Sequence, residues 1–366
     1  MLRVLEGINI PETMFVSQWV ARGAPRLLAA YPKKDLDYNL VIDVFGLILR
    51  EEEEPREGFY IVEYPERAIL SHLYAHRKFV CYFSGMELRQ LVGLILEEGE
   101  DPEAYRGALV RVALRLFRRG EIPATDEEWE EIWSQILAYT DMPIELKIAD
   151  IFRDSEARMI LSTMIEEGVL SIDELVRKVR EKISYPVTRD LLISYVYVLS
   201  ALGILEVRFD EKALIERVYL ISDVVFYRKK PEKFEEIAKR FPAIKQIYVQ
   251  YVSDYISTWE SDAEKIPDLL SNSEIYPLLR RFRQEGAIEK SNLSPSEQEI
   301  AEKLREENIL VKFDDTYVLL VDPTYKLLFP KWTIARLVER AKEDASVRDL
   351  LKSWLNILKE AYLRRR

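Results

Sequence analysis

Two segments, SIDELVRKVREKI (171–183) and RDLLISYVYVLSALG (189–203), determine how the centre of the chain folds. Ser171 with Glu174 three residues later is the pattern of a capping box, which predicts that a helix begins at this point. The second segment is long and apolar enough for a buried helix, and Gly203 is a residue that commonly ends one. Two consecutive helices are therefore predicted.

The segments on either side complete a recognisable order of elements. Residues 156–167 have helical spacing and precede Gly168, whereas ILEVRF (204–209) and RVYLISDV (217–224) are typical of two strands. Three helices followed by a β-hairpin predict a winged-helix domain.

A similar order recurs between residues 263 and 329. Helical segments come first, and Ser294 is placed to cap the helix PSEQEIAEKLREEN. The segments ILVKF and TYVLLVD flank Asp314-Asp315, which favours a hairpin turn. We expect a second, less regular winged helix here.

The N-terminal third has a different pattern. Two apolar segments are joined by a glycine-containing connection, and a helix, a run of β-rich segments and two more helices follow. This order predicts one sheet of about five strands flanked by helices. The segments assigned to strands are 13–20, 25–31, 58–64, 68–75, 79–83 and 90–96, and those assigned to helices begin near Asp35, Asp101 and Asp126.

The last predicted helix is amphipathic. Apolar residues recur at spacings of three, four and seven, which places them on one stripe: Val347, Leu350, Leu351, Trp354, Leu355 and Leu358. Trp354 and Leu358 are the large anchors of that stripe. They are candidate partner-binding residues, with folding back on the second winged helix as the alternative.

Composition limits the classes of protein to which the chain can belong. With 48% hydrophobic and 32% charged residues, the chain can form packed cores with a charged surface. Cys81 is the only cysteine, so no disulfide framework is possible, and no apolar run is long enough to span a bilayer. We therefore expect a cytoplasmic protein. Scarce Asn, Gln and Cys beside abundant Glu, Lys and Arg indicate a thermophilic source.

Motifs that carry chemistry are few. His72 and His76 are the only histidines, and no third ligand stands at a recognised metal-binding spacing from them. The sequence contains neither GxxxxGK[ST] nor GxGxxG, the two common phosphate-binding patterns. We expect no enzyme active site, no cofactor and no metal.

DNA binding is the main alternative that a winged helix raises. A helix that contacts the major groove needs Lys, Arg, Asn or Gln, and residues 187–202 offer only Arg189. The corresponding helix of the second domain carries five glutamates, and the net charge of the chain is -11. We therefore expect no appreciable binding of DNA.

The N-terminal segments MFVSQWVARGAPRLLAAYP (14–32) and GFYIVEYPERAILSHLY (58–74) resemble the opening of longin domains, closest to those of the nitrogen-permease-regulator-like proteins and their archaeal relatives. Gly23, Pro25 and the pair Tyr31-Pro32 match the turn and strand end of that pattern. Winged helices follow the longin domain in that family too.

The resemblance implies partners: small GTPases of the Rag and Mgl types, or other longin and roadblock subunits. It also implies a candidate arginine finger, which would stabilise the charge on a transferring phosphoryl group. Arg67, in the predicted turn YPERAIL, is the residue at the matching position. The alternative is an exposed turn arginine that pairs with Glu63 or Glu66.

These observations predict an α+β chain with four parts: a longin-like domain (1–145), two winged-helix domains (146–232 and 233–330) and a C-terminal helix (331–366). We expect a non-enzymatic adaptor or scaffold that binds a small GTPase or a longin/roadblock partner through its N-terminal domain, as a homo- or heterodimer. A transcription regulator and a general assembly scaffold are the alternatives.

Overall fold

The structure is a computed structural model of the chain, and it is mixed α+β. It describes residues 11–19, 25–32, 36, 38–51, 58–64, 67–69, 72–74, 77–84, 89–97, 99–119, 123–185, 187–211 and 213–364.

Five antiparallel strands form the N-terminal sheet. They are β1 (Thr13–Trp19), β2 (Pro25–Tyr31), β3 (Gly58–Tyr64), β6 (Arg77–Phe83) and β7 (Gln90–Leu96). Their order across the sheet is β2-β1-β7-β6-β3, so the first hairpin lies beside the last strand. A sheet of the predicted size is therefore present in the predicted part of the chain.

Helices cover both faces of this sheet. Alternate strand residues point to opposite faces, and Phe15, Phe79 and Phe83 pack with helix α1 (Tyr38–Glu51) in one buried cluster. The ring of Phe45 on α1 meets that of Phe83 edge-on, with centroids 6.2 Å apart. On the other face, helix α2 (Arg106–Arg119) contacts β6 and β7. A short 3-10 turn precedes α2, and helix α3 (Asp126–Asp141) follows it.

The predicted strand 68–75 is two short strands instead. Strands β4 (Arg67–Ile69) and β5 (His72–Tyr74) pair with each other, Arg67 opposite Tyr74. The chain reverses between them, so its backbone groups bond within the segment and not with a neighbouring strand. The prediction of one continuous strand was wrong, and Arg67 begins a strand where a turn was expected.

The middle of the chain forms a module of three helices and three strands, here called the central module. It contains α5 (Ser155–Glu167), β8 (Val169–Ser171), α6 (Ile172–Lys182), α7 (Arg189–Ala201), β9 (Leu205–Asp210) and β10 (Ile215–Leu220). The predicted pairing of the two hairpin strands is confirmed, and β8 adds a third strand next to β10. Gly168 has a φ of 75°, which lets the chain turn directly from α5 into β8.

A comparable module, here called the second module, lies later in the chain. It contains α10 (Asp262–Leu270), α11 (Ile275–Glu285), β12 (Ala287–Glu289), α12 (Pro295–Glu306), β13 (Leu310–Phe313) and β14 (Thr316–Leu319). Its sheet order, β12-β14-β13, repeats the arrangement of the central module. Gly286 (φ 79°) stands where Gly168 stands in the first copy, and each accepts a 2.9 Å backbone hydrogen bond from the last residue of its hairpin.

The end of the central hairpin differs from the prediction. Residues 217–224 were expected to form one strand, but β10 ends at Leu220 and β11 (Asp223–Lys229) begins a separate sheet. Strand β11 pairs with β15 (Asp322–Leu328), about a hundred residues away. Pairing with a distant strand, which local sequence cannot encode, explains the break.

The remaining helices are α4 (Ile144–Phe152), α8 (Phe234–Arg240), α9 (Ile244–Tyr255), α13 (Lys331–Glu343) and α14 (Ala345–Arg364). No helix in the described part of the chain combines the length and apolar character needed to cross a membrane.

The chain divides into two compact units, each made of separate stretches of sequence. Unit 1 consists of residues 1–142, 159–220 and 337–366, and unit 2 consists of 143–158 and 221–336. Unit 1 therefore contains the N-terminal sheet, most of the central module and α14, whereas unit 2 contains the second module. The predicted boundaries at 145, 232 and 330 stay predictions for divisions within these units.

The predicted capping box at Ser171 and the predicted cap at Ser294 are confirmed, and Ser294 also forms a full capping box. The two capping boxes lead to a pH-dependence. Glu174 and Glu297 accept the backbone N–H of Ser171 and Ser294, and this hydrogen bond lowers the pKa of both carboxyls below the usual 4.5. A carboxyl whose pKa is lower in the folded state than in the unfolded state stabilises the fold at pH values above its ordinary pKa. That stabilisation is lost as the pH falls through the lowered pKa of the folded state.

We therefore expect the double variant Glu174→Gln/Glu297→Gln to show a shallower loss of stability than wild type between about pH 5 and pH 3. Urea unfolding followed by circular dichroism measures the difference. Glu299→Gln, on the exposed face of α12, is the matched control and should keep the wild-type slope. Identical slopes for the double variant and wild type would contradict the prediction.

Candidate binding cleft

A cleft in unit 2 has a volume of about 730 Å³. Helix α9 forms one wall, and the end of α12 with strand β13 forms the other. Clefts of this size with a few convergent polar groups are the usual places for ligands or partner side chains.

A buried ion pair forms the floor of the cleft. The side chains of Arg228 and Asp262 are 8% and 1% exposed, and Arg228 Nη2 lies 3.0 Å from Asp262 Oδ1. The Tyr255 hydroxyl donates to Asp262 Oδ2 over 2.5 Å, and Arg228 also donates to the backbone oxygen of Glu307. Strand β11, helix α9, helix α10 and the end of α12 are thus joined through one guanidinium.

The surroundings of Arg228, Tyr251 and Tyr255 raise the pKa of each of these side chains. Burial is the largest single influence on the pKa of Arg228 and lowers it, but Asp262 and Tyr251 together outweigh burial, so the pKa is raised. Burial raises the pKa of Tyr255, and the hydrogen bond to Asp262 raises it further. Burial also raises the pKa of Tyr251 to about 12. Both tyrosines therefore stay protonated at neutral pH.

The wall and rim are aromatic and mostly acidic. The Tyr251 ring stacks on that of Tyr255, with centroids 5.5 Å apart, and its hydroxyl has no hydrogen-bond partner within normal geometry. Three carboxylates, one ammonium and several amides line the rim: Asp254, Glu306, Glu307, Lys265, Gln246, Gln250 and Asn308.

The groups on the floor of the cleft are engaged with one another. Arg228 is held by Asp262, both tyrosines are protonated, and the described lining contains neither histidine nor cysteine. Among the residues that the structure describes, no group of three or more His, Cys, Asp or Glu side chains is arranged to hold a metal ion.

The two predicted partner anchors are not at the surface. Trp354 is fully buried in unit 1, and its indole N–H donates to the backbone oxygen of Leu220 over 2.7 Å. Leu358 is also buried, so the apolar stripe of α14 belongs to the chain's own core. Neither Trp354 nor Leu358 is exposed for a partner, contrary to the first expectation. The alternative of folding back on the second winged helix also differs from the structure, because the stripe is buried within unit 1, where α14 contacts β8.

Charged side chains hold the same helix at its far end. Arg208 on β9 contacts Glu360 on α14 at 2.8 Å, and Arg364 contacts Glu206 at 2.9 Å. The helix is attached along its length and not only at Trp354.

The candidate arginine finger is described only in part. Arg67 begins β4, and its side chain lies outside the described residues, as does His76. Its role stays a prediction that rests on the resemblance.

The helix that would contact DNA in the central module is enclosed by protein. Leu192, Val196 and Leu199 of α7 are buried, and α7 packs against α2 and β3. The Tyr82 hydroxyl of the N-terminal sheet and Ser194 of α7 form a buried hydrogen bond. Because protein surrounds this helix, it is not free to enter a DNA groove.

Sequence reasoning missed the cleft and also a second polar cluster in unit 2. Arg283 on α11 contacts Glu145 on α4 and Asp322 on β15, each at 2.7 Å. In the sequence these three residues lie more than 35 positions apart, so no local signal groups them.

No protein-family model matches this sequence, and no curated protein matches it.

Proposed function

We propose that the chain is a non-enzymatic adaptor with a longin-like N-terminal domain and two winged-helix modules, and that it binds a small GTPase or a longin/roadblock subunit. The observation that carries the proposal is the N-terminal fold: a five-stranded antiparallel sheet with helices on both faces, in the segments that carry the longin resemblance.

The two later modules support the same interpretation. Each has a helix, a glycine in the left-handed region, a short strand, a capped helix and a hairpin whose second strand lies in the middle of a three-stranded sheet. This order fits winged helices. The burial of α7 favours modules that pack against protein over modules that bind DNA, and the cleft of unit 2 favours contact over catalysis.

Nucleotide-dependent capture tests the proposal. The purified full chain is immobilised and exposed to extract from its native cells containing GDP or a non-hydrolysable GTP analogue, and bound proteins are identified by mass spectrometry. We expect a small GTPase or a longin/roadblock subunit, with GTPase binding that differs several-fold between the two nucleotides.

With such a GTPase in hand, Arg67→Ala separates two roles. If Arg67 supplies the finger, hydrolysis in the complex falls by about 10³-fold or more while binding persists. Capture of neither class of protein would contradict the proposal. Salt-sensitive micromolar binding of random duplex DNA at about 150 mM salt would favour the transcription-regulator alternative instead.

A further inference from the structure

Helix α9 carries an apolar stripe on the side that faces solvent. Lys245, Val249, Val252 and Ile256 follow one another at spacings of four, three and four residues. Val249 is 68% exposed and Ile256 is 71% exposed. Trp259, in the short 3-10 turn after the helix, is 49% exposed. We call these five residues the α9 stripe.

The stripe is separate from the binding cleft. Gln250, Tyr251 and Asp254 of the same helix line the cleft, whereas Val249 and Ile256 do not. Only Ile244 of this helix is fully buried in the described part of the chain, so α9 packs weakly on its own unit. Large apolar side chains left in water on one face of a helix mark an interaction surface.

Charge distinguishes this stretch from the rest of the surface. Residues 244–259 contain two charged side chains among sixteen, Lys245 and Asp254, whereas the whole chain is 32% charged. Two copies of a chain with net charge -11 repel each other over most of their surfaces. The α9 stripe is a place where that repulsion is small.

We propose that the α9 stripe pairs with the same stripe of a second copy of this chain. Alternating spacings of three and four residues are those of a helix–helix seam, and β-branched residues are favoured where two helices meet. The positions that flank such a seam often carry charges that select partners. Here they are uncharged, so a second copy meets no repulsion: Gln246, Tyr248, Ser253 and Tyr255.

The charges at the two ends of the stripe give the pair its direction. Lys245 stands at one end, where its ammonium also lies 4.0 Å from Glu235 of the same chain, and Glu260 follows Trp259 at the other. A parallel pair would bring the two Lys245 ammonium groups together. An antiparallel pair brings each Lys245 towards Glu260 of the second copy, and twofold symmetry makes this contact twice.

We expect the two copies to associate weakly, because the contact between their α9 stripes is small. A twelve-residue helix is about 18 Å long, so the contact is smaller than the ~800 Å² per partner of a standard interface. We expect a dimer whose population rises with concentration in the micromolar range.

Sedimentation equilibrium of the full chain at about 5 and about 200 µM tests the proposal. The expected mass rises from 43.1 kDa towards twice that value. Val249→Glu/Ile256→Glu should stay monomeric with unchanged circular dichroism and melting temperature, because both side chains are exposed. Leu214→Glu, at a 72% exposed site on the β9–β10 hairpin, is the matched control and should dimerise like wild type.

Engineered cysteines test the direction. Cys81 is buried, so a surface disulfide in the variant Lys245→Cys/Glu260→Cys can be assigned to the new residues. The antiparallel pair predicts oxidised dimers of this double variant and none of Lys245→Cys alone. A monomer at all concentrations, a dimer that survives Val249→Glu/Ile256→Glu, or efficient cross-linking through Lys245→Cys alone would overturn the proposal. The result does not depend on whether a GTPase binds.

Discussion

Replacing Trp354 with alanine is expected to lower the free energy of unfolding of unit 1 by about 4 kcal/mol. The indole is one of the largest fully buried side chains, so its removal leaves a cavity that the surrounding core cannot fill. The substitution also leaves the Leu220 backbone oxygen without the N–H that donates to it, and an unpaired buried acceptor adds to the cost.

Urea and thermal unfolding of the full chain measure this effect. The melting temperature of unit 1 should fall by about 10 °C. Leu355→Ala, on the neighbouring but 41% exposed position of the same helix, is the matched control and should change stability by less than about 0.5 kcal/mol. If Trp354→Ala kept wild-type stability and weakened the capture of a partner, the helix would be a binding site after all.

Elements with a strong local signal could be predicted from sequence. The capping box at Ser171 and the cap at Ser294 were identified correctly because both patterns involve residues close together in the sequence. The hairpin formed by β9 and β10 was also correct, since two apolar segments separated by a short polar one have few other ways to pair.

Elements that depend on distant partners could not be predicted. Strand β15 was not recognised, and β11 was divided wrongly, because each exists through pairing with the other across about a hundred residues. The stability of a strand reflects its neighbours more than its own sequence. The discontinuous units have the same origin: nothing local in 337–366 indicates that this segment belongs with residues 1–142.

The candidate cleft shows why a site formed by residues distant in sequence could be predicted only in part. Tyr251 and Tyr255 are four residues apart, which sequence alone predicts to be neighbours on a helix. That Asp262 and Arg228 meet them depends on the loop after α9 and on the β11–β15 pair. The amphipathic stripe of α14 was recognised, but sequence does not distinguish a stripe that packs on its own chain from one that binds a partner, so both roles stayed open for Trp354.

The polar cluster of unit 2 gives the second large expected effect. Arg283 donates two hydrogen bonds to Glu145, one to Asp322 and one to the Pro323 backbone oxygen, so nearly all of its donors are used. Arg283→Met removes the charge and keeps an apolar stem. We expect it to lower the free energy of unfolding of unit 2 by on the order of 3 kcal/mol at pH 7, because the largely buried Glu145 loses Arg283 and the buried Asp322 is left with Lys229, 3.5 Å away.

The pH-dependence of this loss identifies its cause. Burial already raises the pKa of Asp322, and Arg283 opposes that rise, so the variant should raise it further. A carboxyl whose pKa is raised in the folded state binds its proton more tightly there than in the unfolded state. Its charged form therefore destabilises the folded state, and this destabilisation disappears as the pH falls through the raised pKa. The deficit of Arg283→Met relative to wild type should therefore shrink between about pH 7 and pH 5. Arg280→Met, an exposed position of the same helix, should show little deficit at either pH. A loss equally large at both values would mean that packing around the Arg283 stem, and not its charge, stabilises the cluster.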